Sequence, residues 1–292
     1  MEFLKPLPPD QDPHTRRALL REALAYIQGF TGRIVVIKYG GAAMVQDEFK
    51  KTFSDDVTLL KSLGMRPVIV HGGGPEVSRV AKTHGLVPRF VDGLRVTDIE
   101  DLKISEMVLS GAVNKEIVSG LNTAGALAVG ISGKDGRMIE AKKLEHTTHD
   151  LGYVGEIKRV NPDLILALLD KGYIPVISPI GSGDDHQTYN INADTAASHI
   201  AAALRAQKVI FLTDVKGIMM EKQVISQLSG SEAKGLIESG VIQGGMKPKV
   251  EGMLNALEAG VESAHIISGM DHHALISELF TNRGTGTMII RD

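Results

Sequence analysis

Seven short, uninterrupted apolar runs restrict this 292-residue chain more than any other feature. They span residues 33–38, 66–70, 126–131, 173–177, 208–212, 264–267 and 287–290. None alternates strictly between apolar and polar, so each reads as a strand covered on both faces. Helical patterns separate them. Phe49, Phe53, Val57 and Leu60 recur at helical spacing and stop before Gly64, a C-terminal glycine. Asn161-Pro162 and Asp12-Pro13 open two further helices with a capping side chain followed by proline. Strands alternating with helices predict an α/β fold: a three-layer αβα sandwich around a mainly parallel sheet. Residues 137–160 break the pattern, because their short, alternating, charged stretches predict antiparallel hairpins beside that sheet. We place a boundary near residues 179–183. The expected organisation is a helical extension over 1–30, an N-terminal lobe over 31–180 and a C-terminal lobe over 181–292.

Composition removes several classes of function. The chain has no cysteine, which excludes disulfides, thiolate metal sites and thiol catalysis. Its formal net charge is −3, with only 5 Tyr and 7 Phe, so the basic footprint and stacking platforms of a nucleic-acid binder are missing. The first ten residues carry acids and prolines where a signal peptide needs a basic end and an apolar stretch. The longest charge-free stretch, residues 117–133, is too short and too polar to span a bilayer. A cytoplasmic protein without membrane or nucleic-acid partners is expected. The ten histidines include no HExxH pair, and no metal site is expected among them.

The 32 glycines gather where the apolar runs end. Lys38-Tyr39-Gly40-Gly41 puts an ammonium group and two unobstructed amides at the end of the first run. His71-Gly72-Gly73-Gly74-Pro75 follows the second run and opens a helix, whose free N–H groups favour an anion. Each alone is compatible with an ordinary strand-to-helix turn. Two such loops at the ends of successive parallel strands describe a phosphate cradle, because ligands of open α/β sheets bind there. The Walker, dinucleotide and nucleophile-elbow motifs are all absent from the sequence.

These loops, with Gly93 to Thr97 (Gly-Leu-Arg-Val-Thr), Asn190 to Asp194 (Asn-Ile-Asn-Ala-Asp), Leu212 to Gly217 and Gly244 to Lys249, resemble the amino-acid kinase family in its N-acetylglutamate kinase version. The resemblance runs in order from about Tyr26 to the C-terminus. It implies ATP-dependent phosphorylation of the side-chain carboxylate of N-acetyl-L-glutamate in arginine biosynthesis, with Mg2+ carried by the nucleotide. A carbamate, aspartate or glutamate kinase of the same fold, or a catalytically idle arginine-sensing subunit, are the alternatives. The resemblance places the acceptor in the N-terminal lobe and ATP in the C-terminal lobe. Lys38 and Lys249 would flank the migrating phosphoryl group, with Asp194 between their ammonium groups. Gly41, Gly73 and Gly74 would donate amides, Arg95 would grip a substrate carboxylate, and Asn190 would bond the acetamido group. The nucleotide would lie over Thr213, Asp214 and Gly217 and over Gly245 and Met246. Such chemistry needs no base, because a carboxylic acid is already ionised at neutral pH. His71 is therefore expected to pack or to hydrogen-bond.

Residues 13–30, with Leu19, Leu20, Leu24 and Ile27, read as an amphipathic helix ahead of the first strand. It resembles the extra N-terminal helix of arginine-inhibited members, which join as dimers into hexamers. Their effector site implies an L-arginine contact set of Tyr26, Lys208, His273, Glu278 and Gly284. Family members commonly carry Asp-Gly-Arg where this chain has Ser268-Gly269-Met270, which leaves the strength of that inhibition open.

Overall fold

The computed structural model describes residues 12–184, 186–221, 223–281 and 284–292. The proline-bearing first ten residues lie outside them. All seven apolar runs form strands of one eight-stranded sheet: β1 (Ile34–Tyr39), β2 (Arg66–His71), β3 (Ala128–Ser132), β4 (Ile174–Ser178), β5 (Lys208–Thr213), β7 (Ser263–Ser268) and β8 (Thr287–Ile290), joined by a short β6 (Gln227–Ser229). Their order is β6-β8-β7-β5-β1-β2-β4-β3. The six strands from β7 to β3 run parallel, and β8 pairs antiparallel with β7.

Strand alternation sends successive residues of β1 to opposite faces. Val36 joins a core formed with the helices Ala193–Ala203 and Lys247–Glu258, while Val35 and Ile37 join the core under the helices Asp47–Ser62, Asn114–Thr123 and Ala274–Phe280. The molecule is thus the expected αβα sandwich in two lobes. Full burial of Ile37, Leu60, Ile69 and Phe211 contributes roughly 1.5–3 kcal/mol each. In the helix Asp47–Ser62, Phe53, Val57 and Leu60 are buried as their spacing predicts, and the chain leaves through Gly64 at φ +87°. The Asn161 side chain accepts from the Asp163 N–H at 3.1 Å, capping the helix Asp163–Asp170 from one residue further out than expected.

The irregular stretch forms an antiparallel pair, Ile139–Lys143 with Gly155–Val160, in a four-stranded sheet with Ile180–Ser182 and Thr188–Asn190. A smaller hairpin, Arg89–Val91 with Leu94–Val96, carries Arg95. The N-terminal helix Pro13–Phe30 is capped by Asp12. It docks through its last turns, where Phe30 is buried edge-on against Phe280, and leaves Leu20 and Leu24 exposed. Among the described residues no helix is long and apolar enough to cross a membrane.

Candidate active site

The ends of β1, β2 and β5 lie side by side, because Lys38 is in register with Val70 and with Phe211. Lys38 is the next-to-last residue of β1, and its ammonium group lies 3.0 Å from Asp194 Oδ1. Asp194 sits in the first turn of the helix Ala193–Ala203, whose N-cap Asn192 accepts from the Asp194 and Thr195 N–H groups. Its other carboxylate oxygen accepts from Lys249, in the first turn of the helix Lys247–Glu258. Three residues more than 50 positions apart in sequence therefore form one buried charge cluster. Burial alone pushes the Asp194 carboxyl up; the two ammonium groups outweigh it and hold it below the usual carboxylate range.

The first glycine loop curls over this cluster. A Cβ on Gly40 would lie 2.5 Å from Lys38 Nζ, so only glycine leaves the ammonium its place. Gly41, at φ +74°, opens a 3-10 turn to Met44, and the Ala42 N–H donates to Asp214 Oδ1 at 2.6 Å. The second loop leaves β2 at His71 and starts the helix Gly74–Thr83.

Beside these loops lies a cavity of about 460 Å3, lined by Gly73, Gly74, Arg95 and Asn190 among others. Arg95 Nη2 donates to Ser78 Oγ at 2.6 Å and to the Gly74 carbonyl at 3.0 Å, and its guanidinium lies 4.8 Å from the centre of the Phe90 ring. Its Nη1 is buried without a partner among the described residues. Asn190 Nδ2 donates to Thr97 Oγ1 at 3.2 Å, and that hydroxyl donates to the Arg95 carbonyl at 2.9 Å. The cavity thus carries a cation with unused donor capacity, one end of it lying next to Asp194 through Asn192 and Ala193. A chamber lined by Arg95 and Asn190 adjoins a cluster of two ammonium groups around one carboxylate.

Residues 33–268 match the model of the amino acid kinase family. This chain belongs to that family. It is 53% identical to an acetylglutamate kinase of Caldanaerobacter subterraneus subsp. tengcongensis, over 93% of this chain and 92% of that one. It is 50% identical to an acetylglutamate kinase of Synechococcus sp. (strain CC9311), over 96% and 99%. Among solved structures it is similar to N-acetylglutamate synthase from Neisseria gonorrhoeae, complexed with coenzyme A and N-acetyl-glutamate (TM-score 0.85, 28% identity); 94% of this chain covers 63% of the synthase. The same synthase complexed with coenzyme A and L-arginine superposes with a TM-score of 0.82 at 26% identity over 94% of this chain and 65% of that one.

The segments expected from sequence to meet a nucleotide take defined local forms. Thr213 Oγ1 donates to the Val215 carbonyl and accepts from the Val215 N–H, so its hydroxyl is committed to its own turn. Gly217 is held by packing, since a Cβ there would lie 2.6 Å from Thr287 Oγ1. Gly245 has open space around it, and Met246 packs partly into the core beside Lys249.

Of the five effector candidates, Lys208, Glu278 and Gly284 come together, and the link is a residue the sequence reading missed, His265. Lys208 Nζ lies 3.0 Å from His265 Nε2, and His265 Nδ1 lies 2.7 Å from Glu278 Oε1. An ammonium group can only donate, so Nε2 is the acceptor and Nδ1 carries the proton to Glu278. Burial pushes His265 down and keeps it neutral. Glu278 Oε2 accepts from the Thr285 and Gly286 N–H groups, and Gly284 packs against it. Tyr26 stacks on Phe30, whose ring lies 5.4 Å from Lys208 Nζ. His273 makes a separate pair, with Nδ1 2.6 Å from the buried Asp56.

Proposed function

We propose that this protein transfers the γ-phosphoryl group of ATP to the side-chain carboxylate of N-acetyl-L-glutamate, yielding N-acetyl-L-glutamyl 5-phosphate and ADP in arginine biosynthesis. The observation that carries this reading is the Lys38–Asp194–Lys249 cluster at the edge of a cavity holding Arg95. The acceptor oxygen forms a bond to Pγ while the Pγ–O bond to the ADP leaving group breaks. No proton moves, because the acceptor is already a carboxylate. The obstacle is repulsion between an anionic nucleophile and an anionic phosphoryl group, and fixed cations and amides offset it. Lys38 and Lys249 stand on either side of the path, and Asp194 keeps both charged and aimed. Gly41, Gly73 and Gly74 supply amides, Arg95 holds an acceptor carboxylate and Asn190 holds the acetamido group.

The acceptor belongs to the lobe built on residues 31–180, with Asn190 reaching in from beyond it, and the nucleotide to residues 181–292 over Thr213, Asp214, Gly217, Gly245 and Met246. Mg2+ arrives on the nucleotide. Such an ion is kept largely by phosphate oxygens and water. The Lys208–His265–Glu278 group, with Tyr26, Gly284 and His273, is our candidate L-arginine contact set, and the exposed Leu20 and Leu24 suit a helix that docks on other copies in a dimer or hexamer. The L-arginine complex of the similar synthase supports an effector site in this fold. We place the enzyme in the cytoplasm.

Incubation with MgATP and each candidate acid, with hydroxylamine as trap, tests the acceptor. N-acetylglutamate is expected to give its hydroxamate; product from carbamate, aspartate or unacetylated glutamate alone would replace the assignment. Solution mass and an arginine titration test the effector reading: dimers only, with activity indifferent to arginine, would reject it.

A further inference from the structure

Directly beneath the second glycine loop lies a chain of hydrogen bonds that the phosphoryl-transfer step does not use. His71 is fully buried at the end of β2. Its Nδ1 lies 2.7 Å from the Gly72 carbonyl oxygen, and its Nε2 lies 3.1 Å from Asn114 Nδ2. A carbonyl oxygen only accepts and an amide nitrogen only donates, so Nδ1 carries the proton and Nε2 is the acceptor. Asn114 is itself held: Nδ2 also donates to the Val176 carbonyl at 2.9 Å, and Oδ1 accepts from Lys115 Nζ at 2.9 Å. Lys115 makes a further bond to the Gly130 carbonyl at 3.1 Å. Donors therefore run in one direction, from the Lys115 ammonium through Asn114 and His71 to the carbonyl of Gly72.

That last bond has a geometric consequence for the loop. The Gly72–Gly73 peptide is trans and planar, so fixing its carbonyl oxygen toward His71 turns the Gly73 N–H the opposite way. Gly73 lines the cavity and His71 does not. The Gly72 N–H donates to the Tyr39 carbonyl at 2.8 Å and the Gly73 carbonyl accepts from the Val77 N–H at 3.0 Å, so the peptide between them, beside a φ of +149°, is set by the His71 bond. Leu109 and Val113, from the wide-turn segment Met107–Val113, press on Gly73 from outside and leave no room for a side chain, but neither offers a polar group to orient the peptide.

We infer that His71 is a positioning residue, through which Lys115 and Asn114 lock the Gly72–Gly73 peptide with its N–H aimed at the migrating phosphoryl group. The inference rests on the reading of this loop as an anion site. It assigns His71 no proton transfer, since its ring is bonded at both nitrogens and does not line the cavity. A pinned N–H acts where charge develops, so its loss falls on kcat and leaves the KM for the acid nearly unchanged.

The test compares His71→Leu, His71→Asn and Lys115→Met in full steady-state kinetics with MgATP and N-acetylglutamate, alongside melting temperatures and Lys249→Ala. The expected result is a kcat loss of roughly tenfold to a hundredfold for His71→Leu, a smaller loss for Lys115→Met, and recovery in His71→Asn, whose amide can donate from the Nδ1 position. Lys115 is exposed, so its variant reads the effect even if the buried leucine destabilises the fold. Unchanged kcat in folded Lys115→Met and His71→Asn no better than His71→Leu would overturn the inference. If Lys249→Ala turned over normally, the site reading itself would fail, which separates the two.

Discussion

Asp214, at the end of β5, accepts the Ala42 N–H at 2.6 Å and so pins the glycine turn of β1 to a loop 172 residues away. If Gly41 meets a phosphate as proposed, this contact helps to hold the turn in place for it. Replacing Asp214 with Ala removes a charge-assisted bond, and kcat/KM for MgATP should fall roughly tenfold, the equivalent of about 1.4 kcal/mol. Asn in its place should retain part of the activity. Kinetics with MgATP varied at saturating acid checks this, and an unaltered value would detach the carboxylate from the turn's function.

Gly40 offers a sharper probe of Lys38. A methyl group there collides with the far end of a flexible side chain rather than with backbone. Gly40→Ala should therefore shift the melting temperature little while displacing the ammonium from Asp194, with kcat falling by roughly a hundredfold. A crystal structure of the variant would show where Lys38 Nζ goes. Normal turnover would mean that its position is unimportant.

Arg95 is held by Ser78 and Gly74 through one nitrogen, which leaves the rest of its fork for the acid. Arg95→Lys keeps the charge but loses the fork, so KM for the acid should rise at least roughly tenfold with a smaller change in kcat. Ser78→Ala should move KM the same way by less. Isothermal titration with the acid alone would give the same ranking of affinities.

Burial pushes the His71 imidazole down to about 4, with the Lys115 charge adding to the effect. Its pKa in the unfolded chain is higher, near 6.5. The neutral ring thus contributes stability fully present above the unfolded value and lost as pH falls toward 4, at up to about 1.4 kcal/mol per pH unit. Urea titrations at pH 7 and pH 5 should show wild type losing more stability than His71→Asn over that interval. Parallel losses would mean that the ring is protonated in the folded state.

Strands 33–38 and 287–290 were readable because a strand covered by helices is apolar along most of its length. Gln227–Ser229 was not, since its residues are largely polar and a helix begins at once at Gly230. The wide-turn segment Met107–Val113 has ordinary helical composition, and only its contact with Gly73 reveals why the backbone departs there. Lys38, Asp194 and Lys249 were legible through resemblance and glycine punctuation. His265 and Asn114 carried no local signal: their significance lies in partners 57 and 43 positions away, which only the sheet order brings near.

The triple of Lys38, Asp194 and Lys249 sums to a single surplus positive charge. Without the aspartate the two ammonium groups would repel each other, and with a second acid the cluster would be neutral. Under the proposed function, it is this one remaining charge that would face an incoming phosphoryl group.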